Sequence, residues 1–222
     1  PPRSTLFPYT TLFRSRVPAR GAWSQVSPRK LVIASNNAKK LRELAELAAP
    51  LGYEVVAVSE LAPGFDVEET GATFEENALL KARSAAQATG EVALADDSGL
   101  IVDALKGAPG VYSARYAPTD EARIQRVLRE LEGSDDRSAR FACALAVATP
   151  EGRSAVLIEY AEGALLEAPR GTGGFGYDPI FLPVGHHCTF AELSSEEKNA
   201  LSHRGKALRR LPELLSRLVV EG

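Results

Sequence analysis

Two adjacent acids follow an apolar segment of the chain. Asp96-Asp97-Ser98-Gly99 comes directly after Val92 to Ala95, a run that predicts a buried strand ending at the acids. Open α/β sheets bind ligands beyond the ends of such strands. Adjacent side chains of an extended backbone point to opposite faces, so only one of these carboxylates is expected to enter a given pocket. Because burying a carboxylate is costly unless a metal ion or a base pairs with it, we favour a functional role over a simple turn.

A second candidate is the polar turn from Ser35 to Lys40, which lies between the apolar strand Leu31 to Ala34 and an amphipathic helix. Free N–H groups and the helix dipole make a helix N-terminus an anion site, and Lys40 can add a charge near a phosphate. Asn36 can adopt the left-handed conformation, which Asn tolerates better than most residues. Taken alone, the turn is better explained as an Asn cap followed by solvent-facing lysines.

Acids and a lysine surround the start of the next predicted helix, which follows Thr73, the first residue of a capping-box pattern. Glu68 and Glu69 precede it. Beside a phosphate, such oxygen ligands suggest Mg²⁺, which takes one or two carboxylates and keeps several waters. By itself the acid pair is more simply a solvated loop. Asn77 and Lys81 share one helix face, from which Lys81 could reach a phosphate or pair with a surface acid.

The glycine-rich segment Gly171 to Pro179 fits the spacing G-x-G-x-x-G of dinucleotide-binding loops. That fingerprint must follow a strand and open a helix. Here Pro179 and Pro183 enclose the short apolar run Ile180 to Leu182, which indicates an extended segment. We therefore exclude a Rossmann-type phosphate loop. The segment is better interpreted as a flexible loop whose aromatic residue, Phe175, could lie against a flat ligand.

Two cations stand at a predicted helix N-terminus near the end of the chain. His203 and Arg204 follow Ser202, at the end where the helix dipole disfavours positive charge. An anion or an acceptor-rich ring would offset that cost. The pair His186-His187 has no carboxylate or cysteine at metal-binding spacing and is interpreted as structural.

The composition indicates an ordinary globular protein of one domain with room for two lobes. The chain has 222 residues, 45% hydrophobic and 25% charged. Four of its 26 basic residues are arginines of residues 1–28, which leaves 22 against 29 acids and disfavours a broad nucleic-acid-binding face. Two cysteines form neither a disulfide framework nor a metal pair, so a reducing cytosol is expected. No apolar run approaches the roughly 18 residues of a membrane span.

The first 28 residues differ from the rest of the chain. They are rich in Pro, Arg, Ser and Thr, contain no acid and show no periodicity. An Arg-rich, acid-poor leader can be a transit peptide. Thr5 to Ser15, however, resembles a translated sequencing-adapter oligonucleotide. We therefore expect residues 1–28 to be a non-native or disordered extension and residues 29–222 to form the functional domain.

The remaining pattern predicts an α/β fold with a mixed sheet. Apolar strands and amphipathic helices alternate in the first half of the chain. Two long strands, Ala139 to Ala148 and Ser154 to Glu162, are joined by turn residues and predict a central hairpin. Two helices, opened by Ser194 and Ser202, close the chain.

Taken together, these motifs closely resemble those of the inosine/xanthosine triphosphate pyrophosphatase family, whose enzymes remove non-standard purine nucleotides. The resemblance covers Leu31 to about Leu218, and Asn36 stands where many members have glycine. The motifs occur in this order: Ser35-x-Asn37-x-x-Lys40, Glu68-Glu69-Thr70-Gly71-x-Thr73-Phe74-x-x-Asn77-Ala78-x-x-Lys81-Ala82, Asp96-Asp97-Ser98-Gly99-Leu100, Gly107-x-Pro109-Gly110-Val111-Tyr112-Ser113-Ala114-Arg115, Gly173-Gly174-Phe175-Gly176-Tyr177-Asp178-Pro179 and Ser202-His203-Arg204-Gly205.

The resemblance implies an elongated mixed β-sheet flanked by helices, with two lobes, a central cleft and, usually, a homodimer. It implies a nucleotide pyrophosphatase that converts ITP, dITP or XTP to the monophosphate and pyrophosphate, with Mg²⁺ as cofactor. The expected surroundings are cytoplasmic, without nucleic-acid or membrane partners.

Residue by residue, the resemblance implies that Asp97 is the catalytic base and a metal ligand, with Asp96 supporting it. Glu68 or Glu69 would join the metal shell, and Ser98 would contact the substrate. The phosphates would be bound by Ser35, Asn36, Asn37, Ala38, Lys39, Lys40 and Lys81. The nucleoside would be bound by Phe175, Gly176, Tyr177, Asp178, Lys198, His203 and Arg204.

Two other functions stay open at the level of sequence. One is a pyrophosphatase of similar architecture that acts on modified pyrimidine triphosphates. The other is a non-catalytic nucleotide-binding module, which would keep the glycine loop and the basic residues but has no need of Asp97 or of the Glu68-Glu69 acids.

Overall fold

A six-stranded mixed sheet forms the centre of the protein in the computed structural model, which describes residues 29–35, 37–48, 50 and 52–218. The predictions for residues 1–28 and for Asn36 lie outside these residues. The strands are β1 (Arg29–Ile33), β2 (Tyr53–Ala57), β3 (Ala93–Val102), β4 (Ser138–Ala148), β5 (Ser154–Leu165) and β6 (Phe181–Pro183). Their spatial order is β2–β1–β3–β4–β5–β6. β1 is parallel to β2 and β3, and the pairs from β3 to β6 are antiparallel, which confirms the mixed sheet.

Seven α-helices lie among the described residues. They are α1 (Ala38–Ala48), α2 (Val58–Leu61), α3 (Phe74–Thr89), α4 (Asp120–Glu130), α5 (Ser195–Leu201), α6 (His203–Arg209) and α7 (Leu211–Ser216). The predicted caps are present, since Thr73 Oγ1 accepts the Glu76 N–H at 3.1 Å and Ser194 forms a capping box with Glu197. The reciprocal half of the box predicted at Thr73 is not formed, because the Glu76 carboxylate accepts the Ala72 N–H at 2.7 Å instead. None of these helices is long and apolar enough to cross a membrane.

The two faces of the sheet pack against different helices because side chains alternate along each strand. One face packs leucines against α1, α6 and α7, among them Leu31, Leu94, Leu145, Leu44, Leu208 and Leu211. The opposite face carries alanines of β4 that meet alanines of α3, namely Ala142, Ala144, Ala146, Ala78, Ala82 and Ala85. These small side chains allow α3 to lie close to the sheet.

A third cluster joins the later part of β3 and the start of β4 to β5, β6 and α4. Phe141 of β4 contacts Phe181 and Phe190, with ring centroids 4.7 and 5.9 Å away. Ile124 and Val127 of α4 belong to the same cluster. This cluster therefore packs α4 against the segment that follows the glycine-rich loop.

β3 is longer than the sequence pattern predicts. It continues through the acids to Val102, because β4 supplies an antiparallel partner for each residue, with Asp96 opposite Leu145 and Asp97 opposite Ala144. Its parallel pairing with β1 ends at Leu94, so the acids still lie beyond the parallel part of the sheet. The predicted strand end at the acids is therefore wrong. The number of closing helices is also wrong, because α7 follows α5 and α6 with a proline in its first turn.

Gly205 of α6 gives a direct test of this packing. A Cβ at this position would lie 1.8 Å from the Asn199 carbonyl oxygen of α5, and backbone cannot yield as a flexible side chain can. We expect Gly205→Ala to lower the free energy of unfolding in urea by about 3 kcal/mol. Glu196→Ala on the exposed side of α5 should change it by less than about 0.5 kcal/mol. Equal stability of Gly205→Ala and wild type would contradict the close contact of the two helices.

Candidate active site

The two adjacent acids of β3 point to opposite faces of the sheet. Asp96 contacts Lys40 of α1 and Arg204 of α6, whereas Asp97 contacts Lys81 of α3. Asp97 lies in the wall of a cavity of about 370 Å³. The sequence argument that the two carboxylates diverge agrees with this geometry. Asp96 has its own contacts with Lys40 and Arg204, both of which also lie in the wall of this cavity, and its implied support of Asp97 stays a prediction.

Most contacts of Asp96 are made by one of its oxygens. Oδ2 accepts a hydrogen bond from Ser98 Oγ at 2.7 Å and lies 3.1 Å from Lys40 Nζ and 3.2 Å from Arg204 Nη2. Oδ1 is buried and has no hydrogen-bond partner among the described residues. Burial raises the pKa of Asp96, but the charges of Lys40, Arg204 and Lys81 outweigh it and the pKa lies far below its usual range. The carboxylate is therefore ionised at neutral pH and holds two cations in place.

Asp97 has the opposite electrostatic balance. Its Oδ1 lies 3.2 Å from Lys81 Nζ, and its Oδ2 accepts a hydrogen bond from Asn77 Nδ2 at 3.3 Å. Burial raises the pKa of Asp97 above its usual range against the opposing charges of Lys81 and Lys40. Burial lowers the pKa of Lys81, but the nearby carboxylates, first Asp97, raise it overall and keep the amine charged. A carboxylate with a raised pKa is suited to accept a proton.

Glu69, rather than Glu68, shares this end of the cavity. Its Oε1 lies 2.7 Å from Lys81 Nζ, the same nitrogen that Asp97 contacts, so the two carboxylates meet at one amine. Burial raises the pKa of Glu69, but Lys81 lowers it overall. Glu68 is exposed.

The pair of Asp97 and Glu69 fits the needs of Mg²⁺, which binds through one or two carboxylates and keeps several waters. In the described part of the chain, no group of three or more His, Cys, Asp or Glu side chains is arranged to hold a metal. Water and substrate oxygens would therefore have to complete the coordination shell.

Asn37 caps α1 at the end of the polar turn. Its Oδ1 accepts the N–H groups of Lys39 at 3.0 Å and Lys40 at 3.2 Å, and Ser35 Oγ accepts the Asn37 N–H at 3.2 Å. The predicted cap is thus present. The prediction of solvent-facing lysines is confirmed for Lys39, which is exposed. It is wrong for Lys40, whose side chain is 18% exposed and reaches Asp96.

The glycine-rich loop is held by two carboxylates. Asp178 Oδ2 accepts the Phe175 N–H and lies near Lys198 Nζ, both at 2.8 Å. Asp120, the first residue of α4, accepts the Gly176 N–H at 2.9 Å. Burial raises the pKa of Asp178 above its usual range, against the charge of Lys198. A short 3-10 turn and β6 follow the loop in place of a helix, which confirms that it is no dinucleotide fingerprint.

The Phe175 ring faces three cations from three helices. Lys198 Nζ lies 4.8 Å from the ring centroid, and Lys39 Nζ and the Arg204 guanidinium carbon lie 5.7 Å from it. The negative face of an aromatic ring attracts such groups. The neighbouring Tyr177 is buried, and its hydroxyl donates to the Ser113 carbonyl at 3.0 Å.

Anionic side chains of the protein offset the charge of Arg204 at the start of α6. Arg204 pairs with Asp96 and with Glu43 of α1, and Glu43 also lies 3.1 Å from Lys198 Nζ. Burial lowers the pKa of Arg204, but Asp96 and Glu43 raise it overall. The sequence expectation of an anion at this helix end is therefore met by the chain itself.

His203 is uncharged in this environment. Burial, followed by the charges of Arg204 and Lys198, lowers the pKa of His203 well below its usual range. The imidazole stacks on Phe141 with centroids 4.8 Å apart. Its Nδ1 is buried without a hydrogen-bond partner among the described residues, so a polar ligand could pair with it.

Sequence reasoning missed two acids of this site, Glu43 and Asp120. Glu43 lies three residues after Lys40, a spacing that puts both on one side of α1, but its partners are 155 and 161 residues away in the chain. Asp120 begins α4, where an acid is ordinary because of the helix dipole. Neither local pattern indicates a role in the site.

The cavity has a charged end and an aromatic end. Asp97 and Glu69, which share Lys81, lie at the first with Lys40, and Phe175, with Arg204 and His203, lies at the second. Other predicted substrate residues in its wall are Asn37, Ala38, Lys39, Ser98, Gly176, Tyr177, Asp178 and Lys198. Such a cavity can hold a chain of anionic groups at one end and a flat polar ring at the other.

Comparisons with known proteins find relatives over most of the chain. The sequence pattern described as the Ham1 family matches residues 31–214. A dITP/XTP pyrophosphatase of Desulforamulus reducens is 55% identical over 86% of this chain and 98% of its own, and one of Bacillus licheniformis is 48% identical over 84% and 98%. The solved structure of the Staphylococcus aureus Ham1 protein superimposes with a TM-score of 0.77 at 44% identity, over 85% of this chain and 98% of its own.

Replacement of Asp96 tests its role as a buried ionic contact. Asp96→Asn leaves Lys40 and Arg204 without their shared anion, so we expect the free energy of unfolding in urea to fall by about 3–5 kcal/mol. Asp103→Asn, which breaks a partly exposed pair with Arg140, should cost less than about 1 kcal/mol. Comparable losses in the two variants would contradict the assigned role.

The loss caused by Asp96→Asn should also depend on pH. Because folding depresses the pKa of Asp96, its contribution is complete above the unfolded value of about 3.9 and is lost as the pH falls toward the folded value. The difference in stability between wild type and variant should therefore be constant above about pH 5 and shrink below about pH 4.

Proposed function

The chain belongs to the Ham1 family, and from this premise we propose that it hydrolyses ITP, dITP and XTP to the monophosphate and pyrophosphate, which removes them from the nucleotide pool. The observation that carries the proposal is the single cavity that joins the Asp97–Lys81–Glu69 group to the ring of Phe175.

The charged end suits hydrolysis between the α- and β-phosphates. Lys40 and Lys81 lie on the two sides of β3 and neutralise the anionic chain, which is the main requirement of such a transition state. Asp97 takes a proton from water, the water oxygen bonds to phosphorus, the anhydride bond breaks and pyrophosphate leaves. Asn77 and Lys81 hold the two oxygens of Asp97 during this step.

Mg²⁺ is the cofactor that fits the acids at this end. Asp97 and Glu69 would hold it. When bound, it would neutralise phosphate charge and help to orient the attacking water. Glu68, exposed and outside the group, is assigned no role in metal binding.

The aromatic end suits a purine with a 6-keto group. Phe175 offers a stacking face worth about 1–3 kcal/mol, but stacking does not distinguish bases. Hypoxanthine and xanthine present an acceptor at O6 and a donor at N1, and adenine reverses both. If Arg204 or His203 donates a hydrogen bond to O6, adenine would leave that donor unpaired. An unpaired buried donor can disfavour adenine by roughly 10⁴-fold. Guanine presents the same O6 acceptor and N1 donor as hypoxanthine. Its exclusion therefore requires that its 2-amino group find no hydrogen-bond partner at the pocket wall.

The family resemblance further suggests a homodimer in the cytoplasm. The two cysteines fit a reducing compartment, since Cys143 is buried and Cys188 is exposed and both are free. Burial raises the pKa of the Cys143 thiol to about 12, so that thiol is inert at neutral pH.

A substrate panel tests the proposed activity. With Mg²⁺ we expect pyrophosphate release from ITP, dITP and XTP, and a kcat/KM for ATP that is about 10⁴-fold lower. Chelation of the metal should stop release. Preference for dUTP or a modified TTP would instead indicate a pyrimidine enzyme, and binding of ITP without pyrophosphate release would indicate a non-catalytic module.

Replacement of the proposed base tests the mechanism. Asp97→Asn removes the proton acceptor at nearly constant volume, so we expect kcat for ITP to fall at least about 10²-fold while circular dichroism shows a folded protein. Asp135→Asn, an exposed acid outside the cavity, serves as the control. Retained turnover in Asp97→Asn would remove Asp97 as the base.

A further inference from the structure

Both peptide N–H groups that flank the Phe175 side chain are bound by carboxylates. Asp178 accepts the N–H of Phe175, and Asp120 accepts the N–H of Gly176. Asp178 is also paired with Lys198 at the base end of the cavity. Asp120 belongs to α4 and takes no part in the steps described above.

This loop needs an external anchor because its backbone is conformationally permissive. Gly174 and Gly176 adopt the left-handed conformation with φ of 68° and 61°, which glycine reaches easily but does not maintain by itself. The Phe175 ring could therefore point in several directions. The two carboxylates select the direction in which it faces Lys198 and Arg204.

Asp120 is itself rigidly placed. Its Oδ1 lies 2.7 Å from Arg123 Nη1, and Arg123 Nε donates to the Ala117 carbonyl at 2.9 Å. Thr119 caps the helix by accepting the Ala122 N–H at 3.1 Å. Each oxygen of Asp120 thus has a partner within the protein, one on its own helix and one on the loop, so Asp120 is positioned to orient the loop.

We propose that Asp120 is a positioning residue for base recognition, which acts by holding the Gly176 N–H and thereby the direction of the Phe175 ring. The proposal rests on the proposed function, since it assumes that Phe175 stacks on a purine. Asp120 affects the base end of the cavity and leaves the phosphate end, formed by Lys40, Lys81 and Asp97, unchanged.

The first measurement needs no ligand. In hydrogen exchange of the free protein, residues 171–178 should exchange faster in Asp120→Ala than in wild type. Glu121→Gln is the matched control, because it removes an exposed acid from the same first turn of α4 and leaves the loop contact intact. Unchanged exchange in Asp120→Ala, at a thermal stability close to that of the control, would overturn the proposal.

The second measurement separates the two ends of the cavity. We expect Asp120→Ala to raise the Kd of inosine monophosphate about tenfold or more, as for loss of a hydrogen bond to a charged group. Inhibition by inorganic tripolyphosphate should change less than about twofold. Asp120→Asn, whose amide oxygen can still accept the N–H, should retain most of the affinity. Equal losses for both probes would indicate a general structural defect and overturn the proposal.

A double-mutant cycle separates positioning from direct contact. In a Phe175→Ala background, Asp120→Ala should weaken inosine monophosphate no further, because its effect passes through the ring. Additive effects would show that Asp120 acts on the nucleotide itself and would overturn the proposal. Absence of pyrophosphate release from ITP by the wild type would instead overturn the proposed function, and the exchange result would still decide whether Asp120 holds the loop.

Discussion

A single buried carboxylate oxygen, Oδ2 of Asp96, brings together three parts of the protein. It binds Lys40 of α1, Arg204 of α6 and Ser98 of its own strand. Buried charges are tolerated only when they are paired and hydrogen-bonded. The two cations and the anion therefore fix each other, and the ends of α1 and α6 must approach β3 at this point. Glu43 extends the same network from Arg204 to Lys198, and Lys198 reaches Asp178 at the glycine-rich loop.

The alternation of side chains along β3 gives two neighbouring acids different roles. Asp96 is surrounded by cations, which hold its pKa far below the usual range, and Asp97 is dominated by burial, which raises its pKa. Two residues that are adjacent in the sequence thus have different roles. Asp96 holds the cations of the site in place, and Asp97 can accept a proton. The antiparallel partner β4 makes this division possible, because it keeps the strand extended through both acids.

The glycine-rich loop and the polar turn from Ser35 to Lys40 contribute different side chains to the cavity wall. The loop carries Phe175 on a backbone held by Asp178 and Asp120, and Lys40 and Lys81 provide the positive charge near Asp97. The spacing of the glycines indicated a phosphate loop, but the prolines after it and the absence of a following helix exclude that role. What the glycines provide is backbone freedom for an aromatic side chain.

Local physical chemistry made much of this protein predictable from its sequence. Caps at Thr73 and Ser194, apolar periodicity and the central hairpin predicted the elements and the mixed α/β class, and the ordered motifs predicted the family. The extent of β3 was not predictable, because it depends on pairing with β4, a strand about 45 positions later. The start of α7 does have a signal in the sequence, the proline in its first turn, which the sequence reasoning missed.

The sequence determined which residue types could do chemistry, and the tertiary structure decided which of them meet. The tertiary structure places Glu69, and not Glu68, beside Lys81 and Asp97. It directs the Asp96 and Asp97 side chains to opposite faces of the sheet. It also brings Glu43 and Asp120, which no motif had marked, into contact with the site. The reason is physical: an ion pair between Glu43 and Arg204 joins residues 161 positions apart. Coulomb and hydrogen-bond energies depend on distance in space, whereas a sequence pattern records only distance along the chain.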